Sequence, residues 1–137
     1  MRIMAIDYGD ARTGYALSDP SGLLAGETGV LPSRNPDKLL ADLVRLYAER
    51  GVERIALGLP RNMDGTEGPR AEKSRALKER LEEQGCAVTL VDERRTTVEA
   101  HAILTETGRR GKARKQRVDA VAAALILETY LNSRGEG

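Results

Sequence analysis

Phenylalanine and tryptophan are absent from this chain, tyrosine occurs four times, and cysteine and histidine occur once each. Each scarcity argues against a class of function. Without an aromatic platform, stacking of successive bases is a poor basis for recognition, so any nucleic-acid contact has to rest on backbone charge and shape. A lone Cys86 permits no internal disulfide, and a lone His101, set mid-helix with no second histidine or cysteine at ligand spacing, makes no zinc site. The place of Cys86 beside Ala87 and Val88 predicts a half-buried, unreactive thiol. No segment approaches the roughly 20 apolar residues that span a bilayer. The opening Met1-Arg2-Ile3-Met4 reaches Asp7 too soon for a secretory signal. A cytoplasmic protein without a membrane partner is therefore expected.

What is present is enough for one core. The chain has 137 residues, of which 40% are hydrophobic, and this predicts a single domain over residues 1–137. The formal net charge is +1, so nothing global announces a polyanion binder and the argument turns on where the charges lie. They cluster at Arg109, Arg110, Lys112, Arg114, Lys115 and Arg117, within an acid-free stretch expected to be a flexible basic loop over about 109–117.

Three strands are expected at the start, Arg2 to Tyr8, Thr13 to Ser18 and Leu23 to Leu31, with Asp19-Pro20-Ser21-Gly22 as the turn between the last two. The pattern then changes to alternating helix and strand. Asn35-Pro36 reads as an N-cap and first-turn proline for a helix that carries Leu39, Leu40, Leu43, Val44, Leu46 and Tyr47 and stops at Gly51. A strand from Arg54 to Leu59 follows. A helix from about Pro69 to Gln84 buries only a thin stripe of Ala71, Leu77 and Leu81, with Thr66 as a candidate cap. The next strand is Ala87 to Val91. Thr96 and Glu99 make a capping-box pair for a helix ending at Gly108, and the last helix runs from about Val118 to Leu131. Hairpins make antiparallel neighbours and helical crossovers make parallel ones, so this order predicts an α/β fold with a mixed sheet. The simplest arrangement puts the first strand in the middle, with the strands ending at Leu59 and Val91 as its parallel neighbours.

Carboxylates stand where these elements start or stop: Asp7 ends the first strand, Asp92-Glu93 the fifth, and Asp119 opens the last helix. Oxygen ligands from several segments are what Mg²⁺ or Mn²⁺ requires. Adjacent residues of an extended chain point to opposite faces, so only one of Asp92 and Glu93 can join Asp7. Glu93 is the choice, which leaves Asp92 to contact a neighbouring backbone or an arginine. Arg94 and Thr96 lie at the rim, where a phosphate backbone could run. The loop Gly58 to Gly68 leaves a strand at the same edge and brings Asn62, placed to hydrogen-bond near a scissile phosphate, and Asp64, a candidate fourth carboxylate.

The motifs Asp7-Tyr8-Gly9-x-x-Arg12-x-Gly14, Gly58-Leu59-Pro60 with Asp64-Gly65-Thr66, Asp92-Glu93-Arg94-x-Thr96-Thr97 and Asp119-x-x-Ala122-Ala123 together resemble the bacterial YqgF/RuvX family. That family is described both as a Holliday junction resolvase, on structural analogy, and as a nuclease maturing the 5′ end of pre-16S ribosomal RNA. The resemblance implies a ribonuclease H-like fold with a central five-stranded mixed sheet flanked by helices. It implies a two-metal phosphodiester hydrolase with Asp7, Glu93 and Asp119 as the metal-binding catalytic acids, and Arg12 and the Gly58-Leu59-Pro60 turn shaping the groove. Arg109, Arg110, Lys112, Arg114 and Lys115 then hold RNA, or branched or single-stranded DNA, beside the metal. Ribosomal precursor particles are the implied partners of the RNA reading, and a homodimer that of the junction reading, since a resolvase cuts two strands symmetrically. Two rivals stand beside these: a nucleotide-dependent phosphotransferase, whose fold closes two such domains around its ligand, and a non-catalytic nucleic-acid binding or assembly factor with relict carboxylates.

Overall fold

The computed structural model describes residues 2–18, 25–62, 64–92 and 121–131. Its strands are β1 (Arg2–Asp7), β2 (Arg12–Ser18), β3 (Ala25–Pro32), β4 (Val52–Leu59) and β5 (Val88–Asp92). Helix α1 (Pro36–Glu49) precedes β4 and helix α2 (Pro69–Glu83) precedes β5. A third helix, α3, occupies residues 121–131. The expected third helix, from Thr96 to Gly108, and the expected start of the last helix at Val118 lie outside the described residues.

The strands form one five-stranded sheet in the order β3-β2-β1-β4-β5. Strand β1 is central, as expected, but its two neighbours are antiparallel β2 and parallel β4. The expectation that the fifth strand also pairs with β1 is corrected: β5 runs parallel to β4 and forms the sheet edge. The physical reason is that β2, turning straight back from β1, takes the hydrogen-bonding side of β1 that β5 would have needed. The carboxyl ends of β1, β4 and β5 still reach one edge, because Ile6 lies opposite Leu57 and Leu57 opposite Leu90.

Strand alternation sorts side chains into two cores. Met4, Ile6, Leu17, Ile55 and Leu57 face one side, where Leu39 and Leu43 of α1 and Leu77 and Leu81 of α2 close over them. Ile3, Ala5, Ala16, Ala56 and Val91 face the other, against Ala123, Ile126 and Leu127 of α3. Four alanines in this second core let the helix backbone come close to the sheet. Cys86 is buried more completely than the expected half, at 5% exposure, and that burial pushes its thiol pKa up, consistent with an inert packing role.

The helix signals worked for local reasons. Asn35 is the N-cap of α1 and its side chain accepts from the backbone N–H groups of Asp37 and Lys38 at 3.1 and 3.2 Å, with Pro36 in the first turn. Gly51 and Gly85, at φ +63° and +91°, take the left-handed positions that end α1 and α2. Helix α2 buries Ala71, Ser74, Leu77 and Leu81, the thin stripe expected plus one serine. Thr66 does not cap it. Gly68 occupies the N-cap position with no side-chain bond, because Thr66 is already engaged inside its own loop.

These placements generate a stability contrast. Ile126→Ala, which empties part of the α3 core, is expected to cost about 2–5 kcal/mol. Asn35→Ala, which removes only a cap, is expected to cost about 1 kcal/mol. Urea unfolding checks both, as a larger midpoint drop for the first variant with little change in slope.

Candidate active site

Asp7 ends the central strand. Alternation from Ile3 and Ala5 puts it on the α3 face, at the sheet edge where β1, β4 and β5 terminate. Two of its neighbours on that face follow from register. Gly14 pairs directly with Asp7, and Arg12 shares the face of Gly14 and Ala16. On the other side Gly58, one step past the Ile6 and Leu57 pair, shares the face of Ala56 and carries no side chain. Among the described residues, Gly58 therefore places no side chain between the end of β1 and the end of β5 on this face.

Asp92 lies on the opposite face. Val91 packs in the α3 core, so Asp92 shares parity with Val88 and Leu90, which pack on the α1 and α2 side. There Asp92 Oδ2 meets the Arg61 guanidinium at 3.8 Å, the second of the two expected kinds of partner, a neighbouring backbone or an arginine. Among the described residues no three of His, Cys, Asp and Glu come together to hold a metal. Of the three implied metal-binding acids only Asp7 is among the described residues. Glu93 and Asp119 lie outside them, as do Arg94, Thr96, Arg109, Arg110, Lys112, Arg114 and Lys115.

The loop that follows Asp7 is fixed from several directions. A Cβ on Gly9 would lie 2.2 Å from the Arg12 carbonyl oxygen, so only glycine lets the chain turn this tightly. Gly9 N–H donates to buried Thr13 Oγ1 at 3.4 Å, Ser33 Oγ donates to the Gly9 carbonyl, and Ser33 N–H donates to the Ala11 carbonyl at 3.0 Å. From α2, Arg70 donates to the Tyr8 carbonyl and to Asp10 Oδ1, and its guanidinium lies 5.4 Å from the centre of the Tyr8 ring. Lys73 donates to the same Asp10 oxygen at 2.9 Å. Hydrogen bonding from Lys73, reinforced by the charge of Arg70, holds the Asp10 carboxyl below its ordinary pKa.

The loop after β4 closes on itself. Asn62 Nδ2 donates to Thr66 Oγ1 at 2.8 Å, while the Thr66 hydroxyl and N–H both donate to Asp64 Oδ1 at 2.7 and 2.9 Å. Gly65 supplies the turn at φ +91°. Asn62 and Asp64, expected as substrate and metal contacts, are thus joined to each other through Thr66 on an exposed turn. Arg61 ties this loop to β5 through Asp92 and to Glu67 at 3.5 Å, and Glu67 receives two bonds from Arg75 at 2.7 and 2.8 Å. Those bonds hold the Glu67 pKa down. Sequence reasoning missed Arg70, Lys73 and Arg61. The available signal was the spacing of Arg70 and Lys73 on one side of α2, but their partner Asp10 is 60 positions or more away.

Similarity to known proteins agrees with this geometry. The structure of Thermus thermophilus RuvC in complex with a Holliday junction substrate matches with a TM-score of 0.62 at 15% identity, covering 98% of this chain and 96% of that one. The Fowlpox virus resolvase in complex with Holliday junction DNA matches with a TM-score of 0.61 at 12% identity, covering 98% and 99%. At such identities the likeness speaks for the fold, and the fold is ribonuclease H-like. In sequence, a protein of Halothermothrix orenii is 44% identical over 133 residues, covering 96% of this chain and 95% of the relative. One of Moorella thermoacetica is 44% identical over 137 residues, covering 99% and 98%. Both carry the name "Putative pre-16S rRNA nuclease". The family model described as "RuvX: Holliday junction resolvase" matches residues 1–133, and the chain belongs to this RuvX family.

The Asp10 clamp gives a pH prediction. A carboxyl with a lowered native pKa contributes stability above its unfolded pKa, near 4, and loses it as pH falls through the native value. Asp10→Asn is therefore expected to lower the urea midpoint at pH 6–7, with the gap to the parent closing below about pH 4.

Proposed function

We propose that this protein is a metal-dependent nuclease that hydrolyses phosphodiester bonds and processes the 5′ end of pre-16S ribosomal RNA. Membership of the RuvX family and the names of relatives 44% identical over nearly the whole chain support a phosphodiester hydrolase acting on nucleic acid. The observation that carries the reading is the sorting of acids by sheet face. Asp7 stands at the carboxyl edge beside Gly58, which bears no side chain, while Asp92 is turned away onto Arg61.

A carboxylate in that position fits a hard divalent cation, which takes oxygen donors. Glu93 stands two positions after Val91, so a continued strand gives it the parity of Asp7. Asp119 stands two positions before α3, the helix that packs on the face Asp7 shares. In this reading Asp7, Glu93 and Asp119 are the residues that would hold Mg²⁺ or Mn²⁺, and the described residues contain no alternative cluster of three ligands. Two such ions would supply a water of lowered pKa and charge neutralisation at the leaving 3′ oxygen. The chain itself orients the phosphate: Arg12 shares the face and edge of Asp7, and Arg94, Thr96 and the basic segment Arg109, Arg110, Lys112, Arg114 and Lys115 add backbone contacts. Residues 1–137 act as one nuclease domain in the cytoplasm, on ribosomal precursor particles. No helix among the described residues is long and apolar enough to cross a membrane.

The second reading, cleavage of branched DNA by a homodimer, is favoured by the family description. Matched labelled substrates separate the two: a precursor 16S RNA fragment and a four-way DNA junction, each with Mg²⁺, Mn²⁺ or EDTA. The expected outcome is metal-dependent cutting of the RNA that Asp7→Asn abolishes while RNA binding persists. Paired symmetric nicks in the junction instead would establish the resolvase reading, and equal rates for parent and Asp7→Asn would remove Asp7 from the site. Neutralising Arg109, Arg110, Lys112 and Arg114 together is expected to weaken binding and flatten its dependence on salt, and an unchanged slope would exclude that segment as a backbone contact.

A further inference from the structure

On the sheet face away from Asp7, the β1–β2 loop, the segment before α1 and the exposed side of α2 enclose a cleft of about 360 Å³. Its lining has two characters. Tyr8, Pro36, Ala76 and Leu77 give an apolar surface with one aromatic ring, and Arg34, Lys73 and Arg80 bring cationic heads to the same space. Arg70 adds a fourth cation against the Tyr8 ring. Among the described residues two carboxylates oppose them: Asp10, shared by Arg70 and Lys73 through a single oxygen, and Asp37, which meets Arg80 at 2.7 Å. Arg34 makes no hydrogen bond or ion pair among the described residues. Ion pairs this exposed are weak, so their cations remain available to a stronger anion.

We propose that this cleft holds one nucleotide of a single-stranded nucleic acid, the phosphate on Arg34 and Arg80 and the base or sugar against Tyr8, Pro36 and Leu77. The proposal rests on the nuclease reading above. Its size matches small-ligand sites, which begin near ~300 Å³, and an aromatic face with nearby guanidinium groups is the chemistry that takes an unpaired base with its phosphate. A strand, rather than a free nucleotide, is indicated by position. Tyr8 directly follows Asp7, with its side chain on the opposite face, so a strand leaving the cleavage edge over the β1–β2 loop enters the cleft within a residue of the site. A duplex would not enter so narrow a space. The cleft therefore selects substrates that are unpaired on one side of the scissile bond.

The test compares the parent with the Arg34→Gln/Arg80→Gln double variant, and with Arg34→Lys/Arg80→Lys as a charge-retaining control. Neither arginine belongs to the cleavage edge. Binding of labelled single-stranded RNA is measured with Ca²⁺ in place of Mg²⁺ across a salt series, cleavage is followed separately in Mg²⁺, and adenosine monophosphate is titrated as the free-nucleotide probe. The expected result is several-fold weaker RNA binding by the Gln variant, with a log–log salt slope shallower by about 0.7 for one lost phosphate contact, and parent-like binding by the Lys control. Cleavage of a minimal substrate that keeps the scissile bond but lacks the nucleotide assigned to the cleft should keep its maximal rate. Parent-like affinity and slope for the Gln variant would overturn the cleft while leaving the nuclease reading intact. Loss of adenosine monophosphate binding with RNA binding unchanged would assign the cleft to a free nucleotide and overturn the strand proposal. A parent that neither binds nor cuts RNA would overturn the RNA-processing reading, and this proposal with it.

Discussion

Everything at the carboxyl edge depends on β1 being buried on both faces. Its parallel pairing with β4 and antiparallel pairing with β2 leave it no free hydrogen-bonding side, and α1, α2 and α3 cover its two faces. With Ile3 and Ala5 held in one core and Met4 and Ile6 in the other, a slip of one residue would exchange the two sets. The face on which Asp7 stands is consequently set by apolar packing several residues upstream.

The loops around that edge are governed by electrostatics. Arg70 and Lys73 fasten α2 to Asp10 and Tyr8, and Arg61 with Arg75 fastens the β4–α2 loop to Asp92 and Glu67. Exposed pairs of this kind contribute little each to global stability, typically about 0–1 kcal/mol. Their effect is geometric: Arg70 and Lys73 reach from α2 to the loop after β1, Arg75 reaches from α2 to Glu67 in the loop after β4, and Arg61 ties that loop to the end of β5, so helix α2 acts as a common anchor for the segments that follow β1 and β4. The asymmetry between the two faces follows. The α3 face carries Asp7, Arg12 and a bare glycine, and the α2 face carries paired arginines and lysines.

Much of this was legible in the chain because the signals are local. Asn35-Pro36 and Gly51 bounded α1, alternation in Arg2 to Asp7 marked β1, and choosing Glu93 over its neighbour left Asp92 to a backbone group or an arginine, of which the structure shows Arg61. Thr66 was misread because the same local chemistry has two solutions. A threonine before a helix can cap it, or it can close a turn with Asp64 and Asn62, and the second satisfies its hydroxyl twice. Asn62 and Asp64, the polar side chains singled out on that glycine-rich loop, are the partners that close the turn with Thr66.

By itself the sequence determined the kinds of element, the strand ends at which the carboxylates fall, and the parity that separates Asp92 from Glu93, since each depends on neighbours within a few residues. Only the tertiary structure decided which strand lies beside which. Strand β5 pairs with β4 and not β1 because β2 occupies the other side of β1, and Asp10 meets Arg70 across 60 residues of chain. Such pairings depend on which hydrogen-bonding sides and which charged surfaces remain open once the two cores have closed, and that is a property of the packed molecule rather than of any local segment.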